Sequence, residues 1–207
     1  MPKKTFENLP EPKKQKILIA VRNEFLTHPY SEISLNRIIK EADISRGSIY
    51  QYFDGKEDML FVVLDEYCTF LIAIIKEYLE ENNGDVFCTT EAVLMYFFGR
   101  DEKKKVKMEY ATLFADIRVA EMLTDVAKCR EVEVCGITRI LSEIRPYLNM
   151  SELDLKPEEE EIFLQIMVDA LCKPTVQFLN DGIDRYDECM KRLKLMQKHF
   201  EKRTKKE

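Results

Sequence analysis

The chain has 207 residues, of which 34% are charged and 45% are hydrophobic, a balance typical of folded globular proteins. It contains only 6 glycines and 7 prolines, which argues against an all-β protein with many tight turns. The longest unbroken apolar run, Ala92–Phe98, is far shorter than the roughly 20 residues that cross a bilayer. Because the sequence also opens without a secretory signal, we expect a cytoplasmic protein with no membrane segment.

The net charge of −6 is distributed unevenly, with +3 in residues 1–50 and −9 in the rest of the chain. A polyanionic partner is therefore expected to meet the N-terminal part. The 2 histidines, the 6 cysteines without a C-x-x-C pair and the lack of a Gly-rich phosphate loop leave no plausible enzyme or metal site. We expect no catalytic residue, no metal and no cofactor, and we expect the cysteines to be reduced and mostly buried.

The first predicted helix begins at Pro12, because proline suits the first helical turn. Ile17, Val21 and Phe25 recur along one face of this helix and predict a stripe that packs into a core. The stripe stops before Pro29, since the residue ahead of a proline leaves helical space.

Residues 34–53 predict two short helices joined by a tight turn. Ser34 and Ser45 are good N-caps for these helices, and Asp43 lies where the chain must turn and tolerates left-handed backbone. Two short helices joined by a turn of about four residues form a helix-turn-helix.

The second of these helices, Ser45–Phe53, has an unusual outward face. At about 100° per residue, Ile49 and Phe53 share the inward side, whereas Gly47 and Gln51 lie opposite them. The flanks of this face carry Arg46 and Tyr50 on one side and Ser48 and Tyr52 on the other. Glycine within a short helix costs about 1 kcal/mol relative to alanine, which indicates that the face approaches another surface closely.

The rest of the chain predicts further helices and no strand. Asp54 and Glu57 begin a long helix that ends at Asn82-Asn83-Gly84, where the first part of the chain meets the second. Later helices are predicted over residues 90–98, 106–123, 124–144, 157–180 and 184–200, the fourth with a kink at Pro174.

The run I-S-L-x-x-I-x-x-x-A-x-I-S-R-G-S-I-Y-x-Y-F-x-x-K-E-D-M-L over residues 33–60 resembles the DNA-binding signature of the TetR family of transcriptional repressors. Its most specific parts are Gly47-Ser48-Ile49-Tyr50, Tyr52-Phe53 and Lys56-Glu57-Asp58 with Met59-Leu60. The chain departs from the family at Asp43, where glycine is common. The resemblance implies an all-α fold with an N-terminal three-helix helix-turn-helix DNA-binding domain over residues 1–58. A linking helix over residues 56–82 would join it to a C-terminal helical ligand-binding and dimerisation domain over residues 59–207.

The resemblance also implies a homodimeric repressor whose recognition helices enter the major groove of a palindromic, double-stranded DNA operator. Combined with the helical wheel, it gives as phosphate contacts Ser34, Ser45, Ser48, Tyr50, Tyr52 and Lys56, and as base contacts Asn36, Arg46, Gly47 and Gln51. Pure capping is the alternative role for Ser34 and Ser45. Partial core packing is the alternative for Tyr50, and a solvated surface position is the alternative for Asn36. The expected dimer interface is the wide apolar stripe of the last two long helices: Phe178, Tyr186, Met190, Leu193 and Phe200.

The helical body is expected to bind a small hydrophobic effector that releases the protein from DNA, because few ionisable groups separate its aromatic and methionine side chains. The candidate lining residues are Tyr96, Phe97, Tyr110, Phe114, Met122, Phe163 and Met167, with ordinary core packing as the alternative for each. Two other functions stay open at this stage. One is a ligand-independent DNA-binding regulator, and the other is a redox-responsive regulator that uses Cys129 and Cys135. An effector-dependent change in DNA affinity would separate them from a ligand-responsive repressor.

Overall fold

A computed structural model describes residues 2–102, 110–114, 119 and 137–201, and most of these residues are helical. The helices are α1 (Lys4–Glu7), α2 (Glu11–Thr27), α3 (Leu35–Ala42), α4 (Arg46–Tyr52), α5 (Lys56–Glu81), α6 (Val86–Phe97), α7 (Ala111–Phe114), α8 (Ile137–Ile144), α9 (Glu160–Asp181) and α10 (Tyr186–Phe200). Two 3-10 turns lie at Tyr30–Glu32 and Arg145–Tyr147. In the described ranges the only extended pairing is a single bridge between Leu153 and Glu201. The all-α prediction is confirmed.

Helices α2, α3 and α4 form a bundle whose core continues into the first turns of α5. The predicted apolar stripe of α2 is confirmed, because Ile17, Val21 and Phe25 are at most 1% exposed. The helix ends at Thr27, just ahead of His28 in extended backbone, as the following proline predicts. Burying an aliphatic or aromatic side chain stabilises the fold by about 1.5–3 kcal/mol, so this core holds α3 and α4 in a defined orientation.

The turn between α3 and α4 has the predicted backbone. Asp43 follows α3 with φ 52° and ψ 51°, in the left-handed region that aspartate tolerates better than most residues. Its carboxylate accepts a hydrogen bond from Lys16 Nζ at 3.1 Å, which links the turn to α2. The helix-turn-helix is confirmed.

Helix α5 joins the N-terminal bundle to the rest of the chain without a break. Its 26 residues span about 39 Å at 1.5 Å per residue. It starts at Lys56, and the carboxylate of Asp58, not that of Glu57, accepts from the Asp54 N–H at 2.8 Å. The predicted domain boundary after residue 58 falls inside the first turn of α5. One continuous helix therefore belongs to both the N-terminal bundle and the C-terminal body.

The turn after α5 requires glycine. Gly84 has φ 79°, and a Cβ at this position would lie 2.6 Å from the carbonyl oxygen of Tyr147 and 2.8 Å from the amide nitrogen of Asn149. The Asn149 N–H donates to the Gly84 carbonyl at 2.9 Å, so the two backbones are held in direct contact. Helix α6 begins four residues earlier than predicted, because Asp85 accepts from the Cys88 N–H at 2.7 Å and caps it.

Helix α9 is the apolar centre of the C-terminal body. It starts three residues later than predicted, continues through Pro174 and ends at Gly182, whose φ is 67°. By length and composition it is the one described helix that could cross a membrane, which a count of unbroken apolar residues missed. Half of its most apolar window is buried inside the protein, and the central helix of a folded body meets the same criterion.

Candidate nucleic-acid interface

Helix α4 presents the outward face that the helical wheel predicts. Its N-cap is confirmed, because Ser45 Oγ accepts from the Ser48 N–H at 3.2 Å. Ile49 is 1% exposed and points into the bundle, whereas Gly47 and Gln51 are exposed on the opposite side. Tyr50 is the most exposed aromatic side chain of the bundle, at 46%. A short helix thus offers glycine, glutamine and a phenol hydroxyl to the outside of the molecule.

Tyr52 does not share this exposure. Only 5% of its surface is accessible, and its ring lies 6.0 Å from that of Phe6, with Lys13 Nζ 5.8 Å above it. The wheel placed Tyr52 on the edge of the outward face, but the segment that precedes α2 covers it. This burial weighs against the phosphate contact predicted for Tyr52, because its ring belongs to the core of the bundle.

The other predicted contact residues surround α4 with different degrees of exposure. Arg46 and Asn36 are exposed, Ser48 and Lys56 are half-buried, and the hydroxyls of Ser45 and Ser48 lie 2.8 Å apart. Ser34 occupies the N-cap position of α3, but its side chain makes no capping hydrogen bond. The Ser34 N–H instead donates to the Glu24 carboxylate at 2.7 Å.

Glu24 is a buried charge that the sequence reading overlooked. Only 4% of its surface is exposed. The Arg37 guanidinium donates two hydrogen bonds to Glu24 Oε1 and one to Oε2, the shortest at 2.5 Å. Burial alone raises the pKa of this carboxyl, but the hydrogen bonds from Arg37 and from the Ser34 N–H outweigh burial and lower the pKa below its ordinary value. Position 24 lies on the apolar stripe of α2, seven residues after Ile17, so its periodicity could have indicated the burial.

This geometry agrees with comparisons to known proteins. The family model for "Bacterial regulatory proteins, tetR family" matches residues 17–63, which contain α3, α4 and the start of α5. The segment of residues 17–63 is thus similar to the TetR family of bacterial regulatory proteins.

The similarity to solved structures extends beyond the matched segment, at the level of the fold of the whole chain. It is similar to the TetR family repressor AlkX from Dietzia sp. strain DQ12-45-1b, with 11% identity and a TM-score of 0.56 over 89% of this chain and 95% of that one. A TetR family regulator from Chloroflexus aurantiacus J-10-FL matches at 17% identity and TM-score 0.38 over 98% and 100% of the two chains. FadR from Bacillus subtilis, in complex with stearoyl-CoA, matches at 18% identity and TM-score 0.47 over 88% and 96%. At these identities the likeness to AlkX shows a shared fold and nothing finer.

Most of the residues predicted to line an effector pocket are core residues of the described body. Tyr96, Phe97, Tyr110, Phe163 and Met167 are each at most 3% exposed. The backbone of Phe114 ends α7, and Met122 lies outside the described residues. Only Met167 borders the cavity between α5, α6 and α9, whose volume of about 30 Å³ suits one water molecule. The structure therefore does not bring these residues together around one cavity in the described core.

The residues predicted to form the dimer interface find partners within the chain. Met190 and Leu193 are 7% and 3% exposed, and α10 packs these side chains toward α6. The remaining three form ring contacts: Phe178 lies 4.7 Å from Phe98, Tyr186 lies 5.9 Å from Phe98, and Phe200 lies 5.0 Å from Phe163. A helical wheel shows which face of a helix is apolar, but it cannot show whether that face meets the same chain or a second copy.

A different face of α9 and α10 remains exposed. Ile162, Ile166 and Leu195 are 62%, 42% and 60% accessible. Ile166 borders an open groove of about 470 Å³ between α6, α9 and α10, which also contains ion-paired side chains at Lys173 with Asp169. These helices thus leave three large apolar side chains exposed in the single chain.

The cysteines in the described part of the chain differ in exposure, with two buried, Cys189 half-buried and Cys88 exposed. Cys68 and Cys172 are 0% and 8% exposed, as predicted for small core side chains. Burial raises the pKa of Cys172 to about 12, so its reactive thiolate is scarce near neutral pH. Cys129 and Cys135, the pair considered for redox sensing, lie outside the described residues.

Proposed function

We propose that this protein is a ligand-responsive repressor of the TetR family that binds a palindromic DNA operator as a homodimer and is released by a small hydrophobic effector. The observation that carries the DNA-binding part is the exposed face of α4, where Gly47, Tyr50 and Gln51 point away from a core that holds Ile49. A DNA-bound repressor acts where the genome is, so we propose a cytoplasmic location.

Gln51 and Arg46 are proposed to contact base edges in the major groove. The Gln51 amide can bond adenine and the Arg46 guanidinium can bond guanine, each through two hydrogen bonds. Gly47 lets the helix backbone approach the groove, since no heavy atom other than Ser45 Oγ lies within 4 Å of its missing Cβ. Asn36 is proposed as a further base contact from the start of α3.

Phosphate contacts are proposed for Tyr50, Ser48 and Lys56, with Ser34 and Ser45 at the N-termini of α3 and α4. Contacts of this kind position a protein on DNA and carry no sequence information. Lys3, Lys13 and Lys14 lie close to α4 or to the segment covering it, and they add positive charge to this end of an acidic protein.

Dimerisation is proposed through the exposed face of α9 and α10, with Ile162, Ile166 and Leu195 at its centre. A palindromic operator requires two copies of α4 related by a twofold axis, with half-sites about one helical turn of DNA apart or a multiple of it. The groove beside Ile166 would receive side chains of the second copy, and the buried stripe of α10 would support the interface from behind.

The effector is proposed to be hydrophobic because the core of the described body consists mainly of aromatic and aliphatic side chains. Ligand pockets usually enclose about 300–1,000 Å³, whereas the cavity in the described core has about 30 Å³. An effector that binds within the described core must then open the packing between α5, α6 and α9. This packed core favours a second candidate function, a ligand-independent DNA-binding regulator.

Binding-site selection with the purified full chain tests the DNA-binding proposal. The wild-type protein is expected to recover a palindrome, and Gln51→Ala is expected to relax one base preference at symmetric positions, at a cost of about 1–3 kcal/mol. Gln15→Ala, in α2, serves as the control and should recover the wild-type sequence. Recovery of random DNA by the wild-type chain would contradict the proposal.

A screen of hydrophobic compounds by thermal shift separates the two candidate functions. An effector present at 100 times its dissociation constant stabilises the protein by about 2.7 kcal/mol, and it should also lower operator affinity. A set of compounds that stabilises nothing and leaves operator binding unchanged would favour the ligand-independent regulator.

A further inference from the structure

The chain ahead of α2 folds back onto the recognition helix α4. Phe6, in the short helix α1, is 2% exposed, and its ring lies 4.9 Å from that of Phe53 at the end of α4. The Phe6 ring also lies 6.0 Å from the ring of Tyr52. These contacts join residues 3–6 to residues 50–53, more than 40 positions later in the sequence.

This segment provides hydrogen bonds that α4 cannot make for itself. The last carbonyl groups of a helix have no partner within it. The Tyr50 carbonyl accepts a hydrogen bond from Lys3 Nζ at 2.9 Å. The Gln51 carbonyl accepts one from Thr5 Oγ1, and the Tyr52 carbonyl accepts one from the Lys3 N–H at 2.8 Å. Three successive carbonyl groups are therefore satisfied by Lys3 and Thr5 alone.

The charge of Lys3 suits its position. Its ammonium lies at the C-terminal end of α4, where the helix dipole is negative, and it also pairs with Asp54. An isolated helix of seven residues is too short to be stable in water, so contacts from outside decide how firmly its last turn is held. That turn carries Tyr50 and Gln51.

We propose that residues 3–6 are a positioning element for the recognition helix, in which Lys3 and Thr5 hold the last turn of α4 and Phe6 anchors them to the core. Through this clamp, Lys3 and Thr5 orient Gln51 and Tyr50 for the operator without touching DNA themselves. The inference rests on the proposed DNA-binding function, but the clamp itself can be measured without DNA.

Hydrogen exchange on the full chain without DNA tests the clamp directly. The double variant Lys3→Met/Thr5→Val removes two of the three bonds and keeps Phe6 in place. Loss of the two hydrogen bonds should raise the equilibrium constant for local opening of this turn by about tenfold. Amides of residues 50–53 are therefore expected to exchange about tenfold faster. Lys4→Met, which removes the same charge from an exposed side chain of α1, is the matched control and should exchange like the wild type. Unchanged exchange in the double variant would overturn the proposal.

Operator binding then distinguishes a positioning residue from a phosphate contact. Lys3→Met is expected to weaken operator affinity several-fold while the dependence of affinity on salt stays as in the wild type, and Lys3→Arg is expected to restore affinity. A loss of about 0.9 in the slope of log affinity against log salt per subunit, with exchange of α4 unchanged, would show that Lys3 binds phosphate and would overturn the clamp. If the wild-type chain binds no DNA at all, the proposed function fails, whereas the exchange experiment still decides whether the clamp exists.

Discussion

Glu24 is the buried charge that connects α2 to α3, and Glu24→Gln tests what this connection contributes. The glutamine oxygen can still accept from the Ser34 N–H, whereas Arg37 loses its anionic partner. Hydrogen bonds to charged groups contribute about 1.5–3 kcal/mol. Because the Arg37 side chain is 47% exposed and can return to water, we expect the low end, a loss of about 1.5–2 kcal/mol in the free energy of unfolding. For a chain of this length the melting temperature falls by about 3–8 °C.

The pH dependence of the same variant gives a sharper test. The pKa of Glu24 is lower in the folded protein than its ordinary value of 4.5, so the folded state is stabilised by the ionised carboxylate. This stabilisation is complete above pH 4.5 and is lost as the pH falls through the folded-state pKa. Denaturant titrations of both proteins should therefore show a constant difference near neutral pH that shrinks below pH 4.5.

Glu41→Gln is the matched control for this experiment. Glu41 also connects α3 to α2, through a hydrogen bond of 2.6 Å from Asn23, but its side chain is exposed. We expect it to change the free energy of unfolding by less than about 0.5 kcal/mol. Equal losses in the two variants, or a loss for Glu24→Gln that is the same at pH 3 as at pH 7, would refute the assignment of Glu24 as a buried, ionised link.

Four further substitutions and one control test other parts of the molecule. Lys56→Ala should reduce the slope of log operator affinity against log salt concentration by about 0.9 per subunit. Tyr50→Phe should weaken binding to operator and to random DNA by similar factors and leave this slope unchanged. Fluorescence anisotropy at several salt concentrations measures both effects. Ile166→Glu should give a monomer in sedimentation velocity with an unchanged circular dichroism spectrum, because this side chain is 42% exposed in the single chain; a wild-type monomer at micromolar concentration would contradict it. Gly84→Ala should lower the melting temperature by about 4 °C or more, through left-handed strain and a backbone clash. Gly99→Ala, which has the strain but no atom within 4 Å of its Cβ, should lower it less.

The sequence by itself determined the features of this protein that depend on neighbours within a few residues. Ser45 caps α4 because a serine three residues ahead of Ser48 can reach its N–H, and Asp43 turns the chain because of its own backbone preference. The inward position of Ile49 and the outward position of Gln51 follow from the helical repeat alone. The outward face of α4 lies in this same stretch, so its exposed residues could be predicted, apart from Tyr52, which is buried.

Only the tertiary structure decided which apolar or charged face meets which partner. Tyr52 is buried because residues 3–6 fold over it, and Glu24 is ionised in the core because α3 brings Arg37 beside it. Leu193 packs inside the chain while Ile166 stays exposed, although both lie on apolar stripes of neighbouring helices. Periodicity predicts which face of a helix is apolar. Contacts between residues far apart in sequence depend instead on how the helices cross. That arrangement is set by packing across the whole core, which no local pattern contains.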